Sequence, residues 1–297
     1  MDTERPSPRY SSIDIWEPLD IVDAMIEGQF SAVAAVRSAR PAIVQAAIAI
    51  EGRLRKGGRL VYAGAGTSGR LAVQDGAELM PTFSWPRDRL LLLMAGGEEA
   101  MVQAVEGAED DVDQATRLVR RHEIASNDVL VAVAASGTTP FTLACLREAK
   151  QLGALTVGLA NNPGAPLLSE AQYPILLETG PEPIAGSTRM NAGTAQRITL
   201  SLLSSLVMIR LGRVFAGLMV EVQASNAKLV QRQEEMLVYL TGRSKDDARD
   251  TLRRADGNVK LAMLVLDGCG LDEARTILKR ADGQLRTAVT LAAKRRS

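Results

Sequence analysis

The chain is poor in the side chains that most often build metal, redox and stacking sites. It has one histidine, two cysteines and 3% aromatic residues in 297. His122, Cys145 and Cys269 are too few for a Cys/His metal cluster, and the two cysteines lie far apart with neither disulfide-framework nor zinc spacing. Charge bias is missing as well: 35 Lys and Arg balance 35 Asp and Glu, so no basic footprint points to nucleic acid. The short basic end Lys294-Arg295-Arg296 reads as a solvated terminus. The most apolar run, Ile198 to Ile209, is too short to span a bilayer and ends at Arg210. The opening "MDTERPSPRYSSIDIW" is polar and has no signal-peptide character. These absences lead us to expect a soluble, cytoplasmic protein with neither nucleic-acid nor membrane partners. The scarcity of aromatics beside abundant Ala, Leu and Val favours close-packed helices around a sheet over a β-sandwich.

What is present is an alternation. Apolar runs at 59–64 (RLVYAG), 90–97 (LLLLMAGG), 128–137 (DVLVAVAASG), 154–162 (ALTVGLANN) and 173–180 (YPILLETG) read as buried strands. Helical spacing fills the intervals: two or three helices over 20–56, then 71–80 ended by Pro81, 98–121, 140–151, 189–211 and 214–240. The small residues Ala192, Gly193, Ala195 and Ser204 suit the last two helices to close packing, in a core in preference to a subunit interface. Strands alternating with helices specify an α/β fold, a doubly wound parallel sheet flanked by helices with right-handed crossovers. After "TGRS" the composition shifts to short charged helices, and "LRRADGNVKLAM" (252–263) matches "LKRADGQLRTAV" (278–289) at a period of 26 residues. Two copies are too few for a solenoid. The expected organisation is a sheet domain over 1–240 and a small three-helix module over 241–297.

Gly64-Ala65-Gly66-Thr67-Ser68-Gly69 fits the G-x-G-x-x-G pattern, between a strand and a helix. A dinucleotide site also wants an acidic residue at the end of the next strand to hold the ribose. That strand ends in Met94-Ala95-Gly96-Gly97, Glu98 is too far along, and Asp75 and Glu78 lie on the helix after the loop. Two further loops offer similar chemistry: Ser136, Gly137, Thr138 and Thr139 after the third strand, and Ser187 and Thr188 before the long helix. Each alone reads as a helix cap. Together with Gly66, Thr67 and Ser68, three hydroxyl-rich turns at strand ends or helix starts suit a compact phosphomonoester.

At "GAGTSGRL" (64–71), "AGGEEAMVQAVEGAEDD" (95–111), "AASGTTPF" (135–141), "NNPGAPL" (161–167) and "GSTRMNAGTAQR" (186–197) the chain resembles the sugar isomerase (SIS) family of phosphosugar-binding domains. Within it, the chain is similar to the N-acetylmuramic acid 6-phosphate etherases. The resemblance runs from about residue 12 to the end, and its C-terminal module is similar to that family's small UBA-like helical domain. It implies a SIS-type fold and a homodimer with sites near the subunit boundary. It implies no metal or organic cofactor. The implied activity is cleavage of a lactyl ether by elimination followed by water addition. Such a reaction needs a base at C2 and an acid at the C3 oxygen, a task for two carboxyl groups in different protonation states. The resemblance assigns the acid to Glu78 and the base to Glu109. Read without it, Glu78 is a surface glutamate near a helix end and Glu109 part of a solvated acidic helix start. The family pattern is broken in three places. Leu79-Met80 stands where it has cysteine and proline, Asn191 where it has lysine, and Thr138 where it often has arginine; Arg70, Arg189 and Arg197 are candidates to compensate. Two other functions remain open: a hexose-6-phosphate aldose-ketose isomerase, for which His122 is a weak ring-opening base, and a non-catalytic phosphosugar-sensing regulator.

Overall fold

The five apolar runs form one parallel sheet. Its strands are β1 (Leu60–Gly64), β2 (Leu90–Met94), β3 (Val129–Val133), β4 (Leu155–Ala160) and β5 (Tyr173–Leu176), in the order β2-β1-β3-β4-β5. β1, β3 and β4 are buried along their whole length, which is why they read as continuous apolar runs and not as alternating ones. The structure is a computed structural model; it describes residues 1–224 and 226–296, without the side chain of Arg296, so the end of the basic tail lies outside the described residues.

Chain contacts divide the protein into two compact units, Met1–Glu78 with Pro86–Leu206 and Leu79–Trp85 with Val207–Ser297. The first holds the sheet, with α1 (Pro18–Ser38), α2 (Arg40–Leu54), most of α3 (Gly66–Phe83), α4 (Val112–Arg121), α5 (Pro140–Gln151), α6 (Pro166–Glu170) and most of α7 (Asn191–Arg210). Val61, Ala63, Leu130 and Ala132 share a cluster with Leu146 and Ala149 of α5 and Ala115 and Val119 of α4. Alternate strand residues face the other way: the Tyr62 hydroxyl donates to Asp75 of α3 at 2.8 Å. Helices therefore cover both faces. The chain moves from β1 out to β2 and returns past it to β3, so connections leave the carboxyl ends of β1 and β3 in opposite directions. A crevice opens at such a switch point. Gly64 and Val133, the last residues of these strands, are paired in register.

α7 is apolar and long enough to cross a membrane by length and composition, and 56% of its most apolar window is buried. Gln196 donates to Asn161 Oδ1 at 2.9 Å, which marks it as a core helix of the first unit.

Three helical expectations are corrected. Residues 98–111 are short 3-10 turns separated by irregular chain, and only Val112–Arg121 is helical. The positive φ values of Gly96, Gly97 and Gly107 fit turns and not a helix. Residues 214–219 form a hairpin of β6 (Val214–Phe215) and β7 (Leu218–Met219), with Ala216 and Gly217 at positive φ. α3 begins five residues earlier than expected and runs past Pro81 to Phe83.

The second unit contains α8 (Ala227–Thr241), α9 (Lys245–Arg254), α10 (Val259–Leu266), α11 (Leu271–Arg280) and α12 (Leu285–Arg296) around one apolar cluster. Among the described residues four helices follow residue 244 where three were expected, and the C-terminal stretch of this unit starts at Val207. The sequence repeat is a repeat of structure. Asp256-Gly257 and Asp282-Gly283 all have positive φ. The N–H of each glycine reaches back to a leucine carbonyl, Leu252 at 2.9 Å and Leu278 at 3.0 Å. Both copies thus stop one helix with a left-handed turn and start the next.

Candidate active site

β1 passes into α3 through two glycines in mutual contact. A side-chain carbon at Gly64 would lie 2.8 Å from the Cα of Gly69, so a larger residue would break the turn. α3 starts at Gly66, which places Thr67 and Ser68 in its first turn. N–H groups there have no intrahelical acceptor, and the helix dipole favours an anion. The second loop leaves β3 beside it. Ser136 Oγ accepts the Thr138 N–H at 3.2 Å and lies 3.5 Å from Thr139 Oγ1.

Gly66, Thr67, Ser68, Ser136, Thr139 and Thr188 line one cleft of about 180 Å³. The other predicted binding residues lie outside it. Gly137 is buried behind its loop at φ +68°, with Ala165 2.5 Å from where its side chain would begin. Thr138 is exposed and faces neighbouring surface grooves. Ser187 is a turn residue whose carbonyl accepts from Met190 N at 3.1 Å.

Glu109 is in the cleft. It stands on a 3-10 turn, Ala108–Asp110, entered through Gly107 at φ +71°. Asp111, not Glu109, caps α4 by accepting the Gln114 N–H at 2.7 Å. A side-chain carbon at Gly66 would lie 2.7 Å from Glu109 Oε1, so the carboxylate sits directly over the glycine turn.

Glu78 is exposed and is not among the cleft residues. It follows Gly66 by twelve positions on α3, about 18 Å along an ideal helix. One turn before it, Asp75 is buried and accepts from Tyr62 at 2.8 Å and Ser204 at 3.3 Å, with Arg197 at 3.9 Å. Burial raises the Asp75 pKa. The two hydrogen bonds and the Arg197 charge oppose the rise, and the charge of Glu78 adds to it.

The third loop differs from its expectation. The amides that open α7 are already occupied: Asn191 N and Ala192 N each donate to the buried Glu182 carboxylate at 2.8 Å. Burial raises the Glu182 pKa, partly offset by these two N–H donors. An anion at this loop would meet the Thr188 side chain and not the helix terminus. The Asn191 side chain is buried and accepts from Gln29 at 3.1 Å, so the lysine-to-asparagine departure does not fall in the cleft. The arginines proposed to compensate point elsewhere in two cases. Arg70 donates to the Ala100 and Gln103 carbonyls at 2.8 and 3.2 Å, and Arg197 is the one beside Asp75. His122 ends α4 outside the cleft, and burial pushes the Cys145 thiol up to about 12.

Sequence reasoning passed over two residues. Glu182 meets its partners across a loop, with no periodic signal. Glu4 lines the cleft, although the segment that carries it reads as irregular polar chain.

Two family models match the chain: the glucokinase regulatory protein N-terminal SIS domain over residues 42–150 and the SIS domain over residues 100–206. Three relatives are each named N-acetylmuramic acid 6-phosphate etherase. That of Deinococcus radiodurans is 52% identical over 89% of this chain and 87% of its own. The Rhodopirellula baltica protein is 42% identical over 89% and 88%, and the Streptomyces coelicolor protein 43% over 90% and 86%. A phosphoheptose isomerase from Francisella tularensis, 22% identical, superposes with a TM-score of 0.51 over 65% of this chain and all of its own, which supports the SIS-type fold.

Proposed function

The chain belongs to the N-acetylmuramic acid 6-phosphate etherase family, and on that premise we propose how its residues carry out the reaction. It is a carbon–oxygen lyase that releases D-lactate from N-acetylmuramic acid 6-phosphate and leaves N-acetylglucosamine 6-phosphate. The hydroxyls of Thr67, Ser68, Ser136, Thr139 and Thr188 hold the phosphate together with the first N–H groups of α3, with the dipole of that helix behind it. Glu109 takes the C2 proton of the ring-opened aldehyde. The C3 ether oxygen leaves with a proton, and water adds to the unsaturated aldehyde. The observation that carries this reading is the Glu109 carboxylate, poised over Gly66 in the same cleft as the hydroxyl turns.

Glu78 supplies the leaving-group proton, and it does so for a second copy. Along α3 it lies too far from its own cleft for direct contact. The protein works as a homodimer, and the exposed apolar stripe Leu19, Val22, Ile26, Phe30 and Val33 on α1 supports self-association. Its place is the cytoplasm, in recycling of cell-wall amino sugar.

Incubation with N-acetylmuramic acid 6-phosphate in deuterated water separates the roles. Wild-type protein should release lactate and leave deuterium at C2. Glu78→Gln should stop lactate release while C2 exchange persists, and Glu109→Gln should abolish both. Undiminished C2 exchange in the Glu109 variant would refute its role as the base.

A further inference from the structure

Glu4 owes its position to its neighbour. Thr3 is fully buried, and its N–H donates to Asn162 Oδ1 at 3.3 Å. The Asn162 amide donates in turn to Thr3 Oγ1 at 3.0 Å and to the Ala135 carbonyl at 2.9 Å, immediately before the Ser136 loop. The Thr3 carbonyl accepts the Gly186 N–H at 3.0 Å, two residues before Thr188. The first residues are therefore tied to two of the loops that form the cleft. The next side chain, Glu4, is delivered into that cleft, its Oε2 lying 2.8 Å from where a side chain at Gly186 would begin. Gly186 has φ +76° and no side chain to displace the carboxylate.

A carboxylate beside a phosphate repels it, and a second one is superfluous as a base when Glu109 already occupies the cleft. Its remaining chemistry is to accept hydrogen bonds from neutral donors. We propose that Glu4 is a substrate-recognition residue that accepts a hydrogen bond from a hydroxyl or amide N–H on the body of the sugar, away from its phosphate. This inference rests on the phosphosugar reading of the cleft. It makes Glu4 the group that tells a sugar phosphate from other phosphates, with Thr3 and Asn162 as its positioning residues.

The test compares two ligands, N-acetylglucosamine 6-phosphate and inorganic phosphate, by calorimetry on the full chain. Glu4→Ala should weaken the sugar phosphate by about tenfold or more, the loss expected for a hydrogen bond to a charged group. Inorganic phosphate should bind as before or more tightly, because a negative charge is gone. Glu4→Gln, which keeps an acceptor oxygen, should fall between. Thr3→Val, which deletes the hydroxyl held by Asn162, should show the same selective loss in weaker form. Parallel losses for both ligands, or no loss for either, would overturn the proposal. So would tighter binding of both, which would mean that Glu4 acts as a resident anion. A wild-type protein that binds neither ligand would overturn the phosphosugar reading itself and this inference with it.

Discussion

At Gly66 the backbone turn and the proposed base meet. The residue has φ +53°, which costs an L side chain about 1–2 kcal/mol, and its missing side chain leaves the space the Glu109 carboxylate fills. Gly66→Ala should fold, because the Glu109 side chain can swing aside, with a melting temperature lower by a few degrees. Its lactate release should fall by about a hundredfold, since small displacements of a reacting group are that costly. Thermal melting and a lactate assay on one preparation check both, and full activity would remove Glu109 from the proposed position. Asp128 gives a residue-scale prediction about pH. Burial alone would raise its pKa. Hydrogen bonds from the Arg59 side chain at 2.6 Å, Arg59 N at 2.8 Å and Ala125 N at 3.0 Å outweigh this and leave it lowered. A lowered carboxyl pKa stabilises the folded chain fully above the ordinary aspartate value of about 3.9, and that stability is lost as pH falls through the folded value. Asp128→Asn should therefore be less stable than wild type by about 2 kcal/mol at pH 7. The gap should narrow in urea titrations repeated at successively lower pH.

Among the elements, α7 depends on a contact that no local pattern announces. Glu182 satisfies two of its first amides from a loop nine residues upstream of Asn191. Glu182→Ala leaves those N–H groups unpaired in a buried place and should cost about 1–2 kcal/mol. Glu182→Gln, with one acceptor oxygen, should lose less, as denaturation midpoints would show. The same contrast explains which elements were legible. β1, β3 and β4 were, because burial on both faces writes each as an unbroken apolar run such as Leu60–Gly64. The 26-residue repeat was, because Asp-Gly at a left-handed helix stop has a local signature. Residues 98–111 were not, since the left-handed turns at Gly96 and Gly97 just before them and at Gly107 within them interrupt an otherwise helical composition. The hairpin at 214–219 was hidden for a related reason: a non-glycine residue, Ala216, takes a positive φ there. In the cleft, Gly66, Thr67, Ser68, Ser136, Thr139 and Thr188 could be gathered from sequence because each lies in a hydroxyl-rich turn at a strand end or helix start. Glu4 is delivered through Thr3 and Asn162, far apart in the chain, and sequence spacing says nothing about such a link.

For the whole molecule, the separation of Glu78 from its own cleft turns a catalytic question into one of assembly. Leu19 and Phe30 are 71% and 69% exposed on α1, and with Val22, Ile26 and Val33 they follow the three- and four-residue steps of a single helix face. If that face joins two copies, Phe30→Asp should yield a monomer by sedimentation that keeps its fold and loses lactate release. The sharper test uses the two carboxylates. Glu78→Gln and Glu109→Gln are each inactive in lactate release when Glu78 serves the partner's cleft, because every cleft in either homodimer lacks one group. After the two variants are mixed and their subunits exchange, a mixed dimer holds one cleft with an intact Glu109 from one chain and an intact Glu78 from the other. Random pairing makes half the dimers mixed, so activity should recover to about a quarter of wild type, the ratio a two-fold assembly with shared sites requires. Carboxylates that act within one chain give no recovery at any mixing ratio. The Phe30→Asp background should block recovery as well, and regained activity in that monomer would separate the α1 face from the chemistry.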